Sequence, residues 1–193
     1  MSLARRVSYN TTAQVVGRLL AAAASVGVLR MSTRYLGVDK YGDYVTASAL
    51  VLLLTTLADW GLVTISAREI ARDGTRAPEI VGVNLAMRSL LSLCLIPLAV
   101  LIGYLAYRTN HDVRFAVAVL SPMLVLLTIQ STAGAVFIAR ERADIVAALD
   151  VFTSVLLLGG VWIVVHAKIG FGAYLLCWTG VAVVGAATSL VLS

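Results

Sequence analysis

Two charged side chains interrupt otherwise apolar stretches of this chain, and their surroundings limit the chemistry open to them. Arg18 has Gln14 one turn before it and Asn10 a further turn back, so two amides and a guanidinium share one helix face at i, i+4 spacing. Asp59 stands beside Trp60 and Gly61, after the run Leu50-Val51-Leu52-Leu53-Leu54. The remaining acids and histidines form no catalytic constellation. Asp39 and Asp43 lie four apart with no donor site nearby, and His111 and His166 are isolated at predicted loop edges. Cys94 and Cys177 are far apart within apolar runs, which excludes a disulfide framework and a metal-ligand spacing. No catalytic residue, metal site or cofactor is expected. What remains for Arg18 and Asp59 is electrostatic work, holding or passing a charge in a medium that resists it.

That medium is read from composition. Apolar residues make up 60% of the 193 and charged residues 13%, with a mean hydropathy of +0.95, against about 45–50% and 25% in soluble proteins. The chain is an integral membrane protein. Residues 89–107, 115–139 and 169–193 carry no charge and are long enough to cross a bilayer as helices, about 20 residues each. Residues 44–67 and 145–165 tolerate one acid each, Asp59 and Asp150, and residues 11–36 contain Arg18 and Arg30. Six transmembrane helices in one domain, an all-α bundle, are therefore predicted. None of the runs alternates with the period of two that barrel strands require. Residue 193 falls inside an apolar run, so the chain reads as the N-terminal part of a longer protein, with a genuine six-helix protein as the alternative.

Arg5 and Arg6 precede a polar segment, which argues against a cleaved signal peptide. With the N-terminus in the cytoplasm, the inner loops hold Arg5, Arg6, Arg68, Arg72, Arg76, Arg88, Arg140 and Arg142. The outer ones hold Arg30, Arg34, Lys40, Arg108, Arg114 and Lys168. The formal charge of +5 and a pI near 9.6 are thus a topology signal, aided by anionic lipid. Cations scattered over six loops do not make a nucleic-acid stripe. Tyr104, Tyr107, Trp162 and Tyr174 fit an interfacial belt, and Pro97, Pro122 and Gly159-Gly160 would bend their helices.

A charge inside a spanning helix costs about 2.5–3.5 kcal/mol and persists where it meets a partner, a bundle interior or a watery cavity. Two placements satisfy Arg18: the wall of a cavity, or the inner interface, where it reaches headgroups. Asp59 lies about eight residues, or roughly 12 Å, from the inner end of its helix and needs a partner in the bundle, which Arg18, a backbone amide or a proton would supply. Asp150 is expected near the 140–144 loop, paired with Arg140 or Arg142.

Residues 35–72, YLGVDKYGDYVTASALVLLLTTLADWGLVTISAREIAR, resemble the region joining the first two helices of oligosaccharide flippases of the Wzx type. These are polysaccharide biosynthesis proteins of the multidrug/oligosaccharidyl-lipid/polysaccharide exporter superfamily. The similarity is carried by Leu36-Gly37, Tyr41-Gly42 with Tyr44, Asp59, Gly61-Leu62, Arg68 and Ala71-Arg72. The resemblance implies two six-helix bundles enclosing a cavity that opens to alternate sides and moves a polyprenyl-pyrophosphate-linked glycan, a cell-surface polysaccharide precursor. Diphosphate is at least a dianion, and cationic groups must replace its water. An arginine fork does so bidentately and keeps its charge. The resemblance thus makes Arg18 the expected cargo contact, with Arg30 and Arg34 receiving the cargo. Asp59 and Gln14 become structural or coupling residues, with Asp59 the counter-charge that holds an empty cavity together and works with a cation or proton. The implied partners are the lipid-linked glycan, membrane lipids, and either a C-terminal half or a second copy; the implied location is a prokaryotic plasma membrane. A noncatalytic scaffold and an enzyme of lipid-linked sugar metabolism are the alternatives.

Overall fold

The computed structural model describes the backbone of residues 3–59, 77–139 and 143–192. Within these ranges the side chains of residues 3–14, 59, 77–81, 135, 138, 139 and 143 lie outside the described set. The elements are α1 (Leu3–Asp59), α2 (Ala77–Ala106), α3 (His111–Leu120), α4 (Met123–Ala139), α5 (Ala143–Ala167) and α6 (Phe171–Leu192). No strand occurs among the described residues, and the all-α membrane bundle expected from composition is what forms.

Among the described residues five apolar stretches are long enough to cross a membrane, not the expected six: Val15–Ala58, Gly82–Ala106, His111–Gly134, Asp144–Ala167 and Phe171–Leu192. The difference lies at Gly37. The first stretch has 44 residues, about 66 Å of helix, roughly twice the hydrocarbon thickness. It is interrupted by Gly37, whose φ of 75° and ψ of 176° are non-helical. The loop expected over residues 37–43 is therefore a break at one residue, with helix on both sides.

The two arms of α1, residues 3–36 and 38–59, fold back on each other. Ser32 lies beside Tyr174, and the Tyr44 ring packs edge-on against the same Tyr174 ring at 5.2 Å. Twelve residues of straight helix would separate Ser32 from Tyr44 by about 18 Å, so both reach Tyr174 because the chain reverses at Gly37. The first arm runs beside α5 from Gly17 at Ala147 to Gly27 at Leu158. At its top, the Gly170 amide donates to Tyr35 Oη at 2.9 Å.

The hairpin formed by α2 with α3 and α4 has a register centred on Asn110. Arg88 meets Thr132, Ser92 meets Thr128, and Gly103 packs on Val117. Asn110 caps α3, its Oδ1 accepting from the amides of Asp112 and Val113 at 3.0 and 3.1 Å. Its Nδ2 donates to Asp43 Oδ1 at 2.7 Å, which ties this turn to the second arm of α1. Pro122 separates α3 from α4, as a residue without an amide proton inside a crossing should.

One end of the bundle therefore gathers Gly37, Asn110 and the α5–α6 turn. Two aromatic contacts suit the adjacent interface: the half-buried Arg114 over the exposed Tyr104 ring at 5.1 Å, and the exposed Trp162 against His166 at 4.2 Å. Tyr174, expected in that belt, is instead fully buried among Tyr44 and Trp178. Small residues bring α5 and α6 close together, and a Cβ on Gly160 would lie 2.5 Å from Cys177 Sγ. Both cysteines are free.

Two outcomes follow for thermal unfolding in detergent. Gly160→Ala should lower the apparent melting temperature, and Cys177→Ala in the same chain should restore it by making room; a Gly160→Ala loss that Cys177→Ala leaves uncorrected would contradict this packing. Gly37→Ala should cost about 1–3 kcal/mol through backbone strain alone, because its positive φ with extended ψ suits only glycine and no atom lies within 4 Å of the added methyl; an unchanged stability would contradict the break.

Candidate functional site

The first arm of α1 and helix α5 carry matching stripes with a spacing of seven. On α1 the stripe is Arg18, Ser25 and Ser32; on α5 it is Asp150, Leu157 and Val164. A spacing of seven keeps residues on nearly one face, so each stripe reports its surroundings at successive depths. Near the hairpin end, Ser32 and Val164 are buried in the core. Towards the opposite end, Arg18, Ser25 and Asp150 are exposed. The face that is sealed near Gly37 comes to the surface where the charges are.

A close approach of the two helices at Gly17 brings those two charges to the same stretch of the α1–α5 contact. Adding a Cβ to Gly17 would place it 3.1 Å from Ala147 Cβ and 3.6 Å from Val151 Cγ2. Arg18 follows Gly17 and Asp150 precedes Val151, and the guanidinium and carboxylate lie within electrostatic reach of each other. Trp162 at the interface stands three turns, about 18 Å, from Asp150 along α5. In a hydrocarbon layer about 30 Å thick, that leaves Asp150 roughly 12 Å from the other face. Exposed charges at such a depth are costly against acyl chains and persist where water, protein or a polar ligand covers them.

A second polar cluster lies between α2 and α4. Arg88 was expected in the 68–88 loop, but it stands three turns into α2 and is fully buried. Its Nη1 donates to Thr132 Oγ1 at 2.7 Å and its Nη2 to Ser131 Oγ at 2.8 Å. The hydroxyls of Ser131 and Thr132 donate in turn to the Thr128 carbonyl at 3.0 and 2.9 Å. One turn on, Ser92 and Thr128 share a hydrogen bond of 2.8 Å. This cluster spends its donors on the protein itself and welds α2 to α4. Asn84, Arg88 and Ser92 at i, i+4, i+8 were a legible signal; assigning Arg88 to a loop by topology obscured it.

The structure brings Arg18 to Asp150, a pairing the sequence reading did not make. Arg30 and Arg34 are exposed, one turn apart, close to Gly37 and about 18–24 Å from Arg18 along the arm. The side chains of Gln14 and Asp59 are outside the described set, as are Arg140 and Arg142, so the expected contacts of Asp59 and the expected pairing of Asp150 with those arginines fall there too. No group of three His, Cys, Asp or Glu residues placed to hold a metal occurs among the described residues.

The fold and its apolar crossings define a multi-pass membrane protein of the all-α class. A family model described as "Polysaccharide biosynthesis protein" matches residues 3–193, and the chain belongs to that family. The resemblance noted over residues 35–72 thus extends through the bundle. Comparison with curated proteins and with solved structures found no match.

For the buried cluster, Arg88→Lys should lower stability by about 2 kcal/mol, since an ammonium cannot serve two hydroxyls in the guanidinium's planar fork. Thermal unfolding in detergent checks this, and an unchanged midpoint would show that Arg88 is not what joins α2 to α4.

Proposed function

We propose that this chain forms one wall of a transporter that moves a polyprenyl-pyrophosphate-linked oligosaccharide across a prokaryotic plasma membrane by alternating access, without covalent chemistry. One observation carries the reading: Arg18 and Asp150 are exposed at membrane depth on faces that are buried at the hairpin end. A flank of this kind suits a wet passage closed by a second bundle, supplied by a longer chain or by another copy. Membership of the polysaccharide biosynthesis family supplies the cargo class.

In this reading Arg18 meets the diphosphate in the passage. A guanidinium serves because it replaces the anion's hydration through two parallel hydrogen bonds and stays charged whatever the local pH. Arg30 and Arg34 present a second cationic site about 18–24 Å further along the arm, near the hairpin end. The cargo leaves Arg18 for them as the passage changes sides. Asp59 couples a cation or proton to that change. The N-terminus and the loops carrying Arg68, Arg72, Arg76, Arg140 and Arg142 lie in the cytoplasm, with the hairpin end outside.

The test is glycan-lipid translocation in vesicles carrying the intact protein. Arg18→Gln should slow it about tenfold or more, the scale of a lost charge-assisted hydrogen bond. Translocation at the wild-type rate, at equal protein level, would remove Arg18 from the cargo path.

A further inference from the structure

We propose that Asp150 is the resident counter-ion of Arg18: its carboxylate occupies the guanidinium's field while the site is empty and yields it to a phosphate-class oxyanion. The inference rests on the reading of Arg18 as an anion-binding group and adds how that site is regulated.

Three observations converge. The Gly17 contacts with Ala147 and Val151 fix the two helices at close approach beside this pair. The opposite charges are both exposed, and they interact through the field between them rather than through a hydrogen bond among the described contacts. The other polar atoms near Asp150 are already engaged on the backbone: Ser154 Oγ donates to the Asp150 carbonyl at 2.7 Å, and Thr153 Oγ1 to that of Leu149 at 2.9 Å. Among the described residues the carboxylate is thus the group at hand to balance Arg18.

Magnitudes decide the direction of exchange. An exposed ion pair held at a distance is weak. A doubly charged phosphate that accepts two parallel hydrogen bonds from the same fork is bound more strongly. Asp150 is therefore a competitor, strong enough to keep an empty passage from holding a naked cation and weak enough to be displaced. Such a group lowers affinity and speeds release, which a carrier needs at the far side.

The experiment uses the intact protein in lipid nanodiscs, titrated with farnesyl diphosphate and separately with inorganic pyrophosphate. Asp150→Asn should bind both about fivefold more tightly, the ratio set by removing a weak competing pair. Arg18→Gln should lose that binding, and adding Asp150→Asn to Arg18→Gln should restore none of it. Asp150→Ser must repeat the sign of Asp150→Asn, which keeps the result independent of how one variant folds. Weaker or unchanged binding by the Asp150 variants would overturn the proposal, because a purely structural carboxylate gives losses in the same direction as Arg18→Gln. Should the protein move no glycan, these opposite signs would still appear, so the transport reading and the counter-ion can fail separately.

Discussion

In a bilayer core no water is available to satisfy a polar group, so each one must find its partner inside the protein or reach a wet surface. This constraint organises the bundle. Hydroxyls fold back on their own helices: Thr55 donates to the Val51 carbonyl at 2.8 Å and Thr128 to that of Leu124 at 2.8 Å. The amide of Gln130 donates to the Ala182 carbonyl at 2.9 Å and so links α4 to α6. Arg88 solves the harder case of a full charge by gathering hydroxyls from the facing helix. Arg18 and Asp150 are handled differently, exposed with opposite signs side by side. The two cases contrast a buried cation held by hydroxyls of the facing helix with a pair of charges left exposed.

The bundle is sealed unevenly. Near Gly37 the Tyr44 ring meets Tyr174 and Trp178 at 5.2 and 5.3 Å, and the Asp43–Asn110 and Tyr35–Gly170 bonds join three turns together. These contacts are aromatic area plus directed hydrogen bonds, a rigid combination. Towards the other end, the first arm of α1 leaves Leu19, Leu20 and Val26 more than half exposed, and its main partner there is α5. Burial along α1 is thus asymmetric, dense near Gly37 and sparse towards Arg18.

Much of this was legible from the amino acids because hydrophobicity and length are strong signals in a membrane. The all-α bundle followed from uncharged runs, and the polysaccharide biosynthesis family from the residues around Gly37 and Asp59. Pro122 marked a break because a missing amide proton acts locally. Three features were hidden for physical reasons. The reversal takes Gly37 alone, so residues 38–43, which read as a loop, continue the helix instead. Arg88 counts as a topology charge until the facing hydroxyls of Ser131 and Thr132 are known, and these are 43 and 44 residues away. The approach of Asp150 to Arg18 follows from how the two helices meet at Gly17, while its expected pairing with Arg140 or Arg142 falls outside the described residues. Pairing across helices depends on register, and register is not written in either helix alone.

The central claim is that the Arg18–Asp150 face meets water within the membrane. The most direct measurement places a single cysteine at Ser25, between Arg18 and Ser32 on the stripe, in intact protein lacking Cys94 and Cys177, and follows its labelling by a charged, membrane-impermeant thiol reagent. Rapid labelling at position 25, with none at a cysteine replacing Val26 about 100° away around the helix, is the predicted result. Labelling of both positions only by an uncharged, lipid-soluble maleimide would contradict the account.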